Sequence, residues 1–363
     1  MAGKRIHLEE LICPPKTRDA QTGATVVQPT LTRSVALSDF WLEEVMSLSE
    51  RPSENEFEVT HLPVLLNEAL QGLLLKEGGV YVDGTAGDGG HSQAILRVDP
   101  QVKSLFSIDW DPRSLQVTQV RLASFGARCM AATGNYVDMV KIAADHGISE
   151  VNGVLLDLGF SSRQVTNFGY GLSFQVDEPL DMRYDPDGYL TAEEIVNTYN
   201  ERDLGRLIRR FGEEPRGMNI ARAIIKDRPV TTTGQLAEII ERFLGRRPGQ
   251  RVNPATKTFQ ALRIAVNDEL SNVELGLEAA AKLLAPEGRL AVISYHSLED
   301  RIIKSFFNKE AATCVCAPRL PVCTCAQIPR LKIVNRRVIK SSEEEVRFNP
   351  RSRSAKLRVA QRI

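Results

Sequence analysis

Residues 80–92 read VYVDGTAGDGGHS, and this stretch decides the fold. An apolar, β-prone run ends at Asp83, and Gly84, Gly87, Gly89 and Gly90 follow within seven residues. His91-Ser92 then leads into the apolar segment Ala94-Ile95-Leu96. The pattern is strand, tight turn, helix start. Glycine permits positive φ and lets a ligand approach where a Cβ would stand. The helix that follows offers backbone N–H groups at its N-terminus. Such a loop is built for a nucleotide cofactor. A plain left-handed turn is the alternative, but four glycines together cost stability if nothing binds there.

Spacing narrows the cofactor. A dinucleotide loop follows G-x-G-x-x-G/A, whereas Gly87-x-Gly89 is followed by Ser92 at the third position. The pattern Asp83-x-x-x-Gly87-x-Gly89 instead resembles the first motif of class I S-adenosylmethionine (SAM) methyltransferases. There the acidic residue is expected beside the sulfonium or ammonium group.

Outward from the loop, strands alternate with helices. Helical spacing covers 62–75, and strands are expected at 80–82, 105–108, 128–131 and 154–156. Asp111-Pro112 opens a helix after the second strand. This rhythm predicts a mostly parallel, doubly wound α/β sheet. Past Gln164 it stops, and about a hundred residues show helical periodicity, clearest over 193–210 and over 233–244 with Thr233 as N-cap. It resumes with a long helical pattern at 262–284 and a strand at 289–294. The expected organisation is a discontinuous domain, 56–164 and 260–363, carrying an inserted all-helical substrate-recognition domain, 165–259. Residues 1–55 read as a flexible extension, with Pro14-Pro15, Thr/Gln/Ser-rich sequence and one short amphipathic piece at 40–46.

In a doubly wound sheet, ligands sit beyond the carboxyl ends of the strands. The residues expected there are Asp83 with its glycines, Asp109, Tyr136 and Asp157. Asp109 follows the loop by about twenty residues, where a carboxylate can accept from ribose hydroxyls in NAD as well as in SAM. Tyr136 offers a flat face to an adenine, or simply lies on the surface; Asp111 reads as a helix cap.

The chain has 363 residues, 42% hydrophobic and 25% charged, with net charge zero. No apolar run approaches the roughly 18 residues of a membrane span, and no apolar segment near the N-terminus marks a secretory signal. A cytoplasmic protein with no membrane partner is expected. Basic residues are unevenly placed. Residues 330–363 hold eleven Lys/Arg against three acids. The helical stretch holds Arg206, Arg209, Arg210, Arg216, Arg222, Lys226, Arg228, Arg242, Arg246, Arg247 and Arg251. Such faces contact phosphates, or are merely solvated. Cys314, Cys316, Cys323 and Cys325 form CVC-x6-CTC. Four thiols this close can wrap a zinc ion, but C-x-C is tighter than the usual C-x2-C; no metal is assigned. Cys13 and Cys129 stand alone.

From about residue 61 to the C-terminus the chain closely resembles the MraW family of ribosomal RNA methyltransferases. The stretches that carry the likeness are HLPVLLNEAL, DGTAGDGGHS, SIDWDP, LLDLGFSSRQ, GLSF, PLDMRYDP, NPATKTFQALRIAVNDEL, SYHSLEDRIIK and NPRSRSAKLR. The resemblance implies SAM-dependent N4-methylation of a cytidine in the decoding centre of 16S rRNA, in the small subunit or its assembly intermediate. It also implies the inserted helical domain. By position, the implied SAM contacts are Gly89, Gly90, His91, Asp109, Tyr136, Asp157 and Gln164. The family often has Phe at the place of Tyr136, which keeps the ring. The Cys stretch occurs in many members and not in all.

An exocyclic amine is a weak nucleophile, so such an enzyme must align N4 with the methyl group and accept a hydrogen bond from N4–H. Amino methyltransferases of DNA place a polar residue and two prolines after the fourth strand; here the turn reads Asp157-Leu158-Gly159-Phe160-Ser161-Ser162. Asp157 is the candidate acceptor, with Phe160 or Phe168 stacking on the base; the competing reading gives Asp157 to SAM alone. His296 either faces the site or is a structural residue at a strand end. Ser297 is the expected cap of the next helix, with Asp300 completing a partial capping box.

Overall fold

The sheet is built as the alternation requires. In this computed structural model, which describes residues 63–98, 101–159, 169–245, 253–314, 316, 325 and 327–363, the strands are β1 (Val80–Asp83), β2 (Ser104–Asp109), β3 (Cys129–Thr133), β4 (Val151–Asp157), β5 (Leu284–Ser294), β6 (Leu331–Ile333), β7 (Ile339–Lys340) and β8 (Lys356–Arg362). They form one eight-stranded sheet of order β3-β2-β1-β4-β5-β8-β6, with β7 also on β8. β1 to β5 run parallel, and β8 is antiparallel to β5, β6 and β7. The order makes this a doubly wound class I methyltransferase sheet. The N-terminal extension, Gln164, Phe160, Phe168, Cys323 and Arg246, Arg247 and Arg251 lie outside the described residues.

Period-two alternation assigns the two faces. Val82, Phe106, Leu156 and Val292 pack under the helix Glu269–Leu283 with Met139 and Ala143. Tyr81, Leu105, Leu155 and Ile293 point the other way, onto Leu65, Leu73, Ile95 and Leu96. Between β4 and β5 the chain builds the helices Ala192–Thr198, Glu201–Phe211, Gly217–Lys226, Thr233–Leu244 and Thr256–Val266. Their apolar stripes form a third core around Ile195, Ile208, Ile220, Ile224, Leu236, Ile240 and Leu262.

Several expected helix bounds shift, each for a local reason. The 193–210 pattern divides at Asn200, whose side chain caps the helix Glu201–Phe211 by accepting from Asp203 N. Thr232, not Thr233, caps the helix Thr233–Leu244, in a capping box with Gln235. The Thr233 hydroxyl is buried, accepting from Glu178 N and donating to Val176 O, at 3.0 Å each. The 262–284 pattern breaks at Asn267 and Asp268, the latter with φ 46°. Asn267 accepts from Tyr184 N and donates to Met182 O and Arg263 O. That break turns the helix Thr256–Val266 into the helical core, so the expected boundary at 259–260 falls inside it.

Candidate active site

The strand order reverses beside β1, and a crevice opens there beyond the strand ends. A cavity of about 630 Å³ fills it, within the range of small-molecule sites. Gly84–Asp88, Gly90 and His91 form one wall, Asp109–Asp111 and Tyr136 a second, and Asp157–Gly159 with Tyr295 and His296 a third. Leu172–Gln175, Phe259 and Arg263 close it from the helical side, and 349–351 with Arg353 and Ser354 from the C-terminal side.

Of the seven expected cofactor residues, five line this space: Gly90, His91, Asp109, Tyr136 and Asp157. Gly89 is not among the lining residues. Its φ is 78°, and a Cβ there would meet Thr118 Oγ1 at 3.0 Å, so its glycine character shapes the loop. Gln164 lies outside the described residues. Asp83 departs from its expected place beside the sulfonium. It is fully buried beneath the loop, accepting from the Ser92 hydroxyl at 2.7 Å and from Thr85 N at 3.3 Å. Ser92 in turn meets Ser107 at 2.9 Å. Burial raises the Asp83 pKa against the opposing pull of His91 and Ser92.

Asp109 ends β2 with its carboxylate turned back on the loop. Oδ2 accepts from Gly87 N at 2.7 Å and Oδ1 from Asp111 N at 2.8 Å. Burial pushes its pKa up to about 7 despite those two donors. The next acid, Asp111, caps the helix Pro112–Leu122 by accepting from Arg113 N. It also accepts from the Tyr170 hydroxyl, while Arg113 stacks on the Tyr170 ring. Burial would raise the Asp111 pKa, but these partners lower it.

The Tyr136 ring lies against Gly276 of the helix Glu269–Leu283. A Cβ at 276 would stand 2.3 Å from two ring carbons. Asp157 ends β4. Its amide donates to Thr85 Oγ1 at 2.6 Å, its Oδ1 accepts from the Tyr295 hydroxyl at 2.8 Å, and its Oδ2 is 3.5 Å from His91 Nε2. The His91 ring is buried and neither nitrogen has a hydrogen-bond partner. Burial disfavours its charge, but Asp157 and Asp83 outweigh that and raise its pKa.

His296 plays both expected parts: it lines the cavity and sits at a strand end. It is also the cap of the helix Ser297–Glu310, replacing Ser297. Its Nδ1 accepts from Glu299 N at 3.3 Å, and Glu299 Oε2 accepts from His296 N at 3.2 Å. Ser297 donates to Glu213, and Asp300 pairs with Arg358 and Lys356.

Behind His296 lies a buried ionic group that the sequence reading did not single out. Arg263 donates twice to Glu269, at 2.7 and 2.9 Å. Tyr184 donates to Glu269 at 3.0 Å, and His296 Nε2 stands 3.2 Å from Glu299. Burial would raise the Glu269 pKa; Arg263 and His296 hold it down at about 2. The signal was present: polar residues interrupt apolar helical spacing at Arg263, Asn267 and Glu269.

The basic face is smaller than composition suggests. Arg206, Arg209 and Arg210 are exposed along one helix. Arg216, Arg222 and Arg242 pair with Glu214, Glu201 and Asp227. Arg228 donates to two backbone carbonyls, and Arg330 pairs with Glu278 and Glu310. Arg121, Arg351 and Arg353 line the cavity.

Among the described residues no helix is long and apolar enough to cross a membrane. Curated relatives named ribosomal RNA small subunit methyltransferase H match most of the chain. That of Dehalococcoides mccartyi is 51% identical over 306 residues, covering 84% of this chain and 87% of its own. That of Thermomicrobium roseum is 45% identical over 313 residues, covering 85% and 96%. A solved rRNA methylase from Streptococcus thermophilus covers 84% of this chain and 99% of its own, but at 10% identity and a TM-score of 0.38 the overlap is too loose to bear on function. The MraW methylase family matches residues 58–363, which take in the whole cavity and the helical layer beside it; the chain belongs to that family.

Proposed function

We propose that the protein uses SAM to methylate small-subunit ribosomal RNA, at N4 of a cytidine in the decoding centre of 16S rRNA. One observation carries the cofactor reading: the glycine loop, Asp109, Tyr136 and Asp157 line a single cavity at the switch point of the sheet. The residues fit SAM. The cavity volume suits it, His91 in its wall carries a buried ring nitrogen, Nδ1, without a hydrogen-bond partner, and Asp109 lines it. Bound SAM would supply an electrophilic methyl group on a sulfonium. Asp109 then holds the ribose hydroxyls, Tyr136 covers the adenine, and Gly90, His91 and Asp157 serve the amino-acid end. Gly89 and Gln164 join this set by family position only.

The acceptor reading rests on family membership and on the names of the relatives. A stacked base has to leave its neighbours to enter such a cavity. Arg121, Arg351 and Arg353 stand in its walls and Arg206, Arg209 and Arg210 outside it, where they hold phosphates and set orientation. The helical layer, 165–259 with the rest of helix Thr256–Val266, is the substrate-recognition part. Asp157, fixed by Tyr295, accepts from N4–H as the nitrogen pyramidalises, and positioning lowers the barrier. The rRNA is met in the cytoplasm, in the small subunit or an assembly intermediate.

Nucleoside mass spectrometry of 16S rRNA from cells with and without the gene tests the substrate; an unchanged N4-methylcytidine signal would remove it. A SAM titration beside an NAD titration tests the cofactor. Asp157→Asn separates its two roles: lost turnover with SAM affinity intact supports the N4–H acceptor, whereas lost SAM affinity assigns it to the cofactor.

A further inference from the structure

The helix Ser297–Glu310 and β6 are joined by the twenty residues 311–330. None of the described residues in that connection belongs to a helix or strand. Connections longer than about 12–15 residues without secondary structure are uncommon in compact domains and need something to hold them. The ends are held: Arg330 N donates to Glu310 O at 2.9 Å, and the Arg330 guanidinium pairs with Glu278 and Glu310. Of the described residues between those ends, Cys314 is exposed and Cys316 and Cys325 are only partly covered.

The Sγ atoms of Cys314, Cys316 and Cys325 all lie within 4.8 Å of one another. Cys314 and Cys325 are 3.8 Å apart, sulfur to sulfur, far beyond the roughly 2.05 Å of a disulfide. With Zn–S bonds of about 2.3 Å, the edge of a tetrahedral site is about 3.8 Å. The Cys316 amide also points at Cys314 Sγ, 3.4 Å away. Donors of this kind support a thiolate ligand from outside the coordination shell. Three sulfurs gathered within one such span suit a single ion; a bridged iron–sulfur cluster spreads its cysteines more widely. Cys314 and Cys325, eleven apart in sequence, are thus brought together.

We propose that Cys314, Cys316 and Cys325 ligate one zinc ion, a structural site that closes the 311–330 connection. The sequence supplies a further thiol, Cys323, outside the described residues. Zinc suits a soft thiolate set, and its binding to thiols releases their protons. None of the described residues of 311–330 lines the methyl-transfer cavity, so Cys314, Cys316 and Cys325 stand apart from it.

Elemental analysis of the full-length protein, purified under reducing conditions without chelator, tests this. About one zinc per chain is expected. Paired Cys314→Ser and Cys325→Ser should bring it below about 0.1 per chain while leaving SAM affinity within about threefold. A readout on the unmutated protein guards against misfolded variants: an organomercurial should release one equivalent of zinc, measured with a chromogenic chelator, as the thiols react. Absence of zinc, stoichiometric iron in its place, or zinc retained by the double variant would overturn the proposal. The last result would move the ion to another cluster, such as Glu269, His296 and Glu299.

Discussion

Gly276→Ala is a one-methyl change whose effect the structure fixes closely. The added Cβ would lie 2.3 Å from Cδ2 and Cε2 of Tyr136, where carbons want about 3.5–4.0 Å. Gly276 is buried in the middle of the helix Glu269–Leu283, so the ring must retreat by more than about 1 Å. Overpacking of this size costs about 1–3 kcal/mol. If the ring covers the adenine as proposed, its displacement also loses that contact, and base–aromatic stacking is worth about 1–3 kcal/mol. Calorimetric titration with SAM should show a Kd raised about 10- to 100-fold. Tyr136→Ala alone should weaken binding comparably. In that background Gly276→Ala should change SAM affinity less than about twofold, because the space is open. It should then stabilise the fold by about 0.5–1 kcal/mol, the ordinary gain of Gly to Ala in a helix. Wild-type SAM affinity in a folded Gly276→Ala protein, or penalties that multiply in the double variant, would refute the placement of the Tyr136 ring against the cofactor.

Other expectations follow from the charges. Asp109 has its pKa pushed up to about 7 by burial, so its contribution to stability is present below its unfolded value of 3.8 and is lost as pH rises through about 7. Above that pH it is ionised, the form that the proposed contact with the ribose hydroxyls requires. SAM affinity should therefore fall between pH 8 and 6, and Asp109→Asn should flatten that slope; a parallel slope in the variant would point to another group. Glu269 is the opposite case, held at about 2 against an ordinary 4.5. Its stabilisation is present above 4.5 and is lost as pH falls towards 2, on the order of 3 kcal/mol. Glu269→Gln should cost about 3–5 kcal/mol at neutral pH by removing the carboxylate charge from beside the Arg263 guanidinium, and should lack that acid limb in urea unfolding. Charge reversal at Arg209 and Arg210 should weaken rRNA binding several-fold and reduce its salt dependence, with SAM affinity unchanged; equal rRNA affinity would exclude that face.

Where local pattern dictates geometry, the sequence was legible. Glycine spacing and short apolar runs alternating with helical stretches placed β1, β2 and β4 with their terminal carboxylates, and the stop in that rhythm placed the helical layer. Legibility failed where side-chain partners decide. Asp83, Asp109 and Asp157 look alike as acids at strand ends, yet Ser92 and Ser107 draw Asp83 under the loop while the other two line the cavity. Asn267 and Asp268 sit inside good helical spacing, and only contacts to Met182 and Tyr184, more than eighty residues away, make a break there. Histidine is not a usual helix cap, so His296 could be read as a cavity residue or a strand-end residue but not as the cap it is. Counting arginines overstated the basic face because pairing with Glu201, Glu214 and Asp227 is invisible in composition.

Methyl transfer itself tests the account most directly. Small subunits from cells lacking the gene, incubated with the purified protein and methyl-labelled SAM, should take up one label per 16S rRNA, recovered on digestion as N4-methylcytidine. Label on another nucleoside, or none on rRNA from a protein that binds SAM, would contradict it.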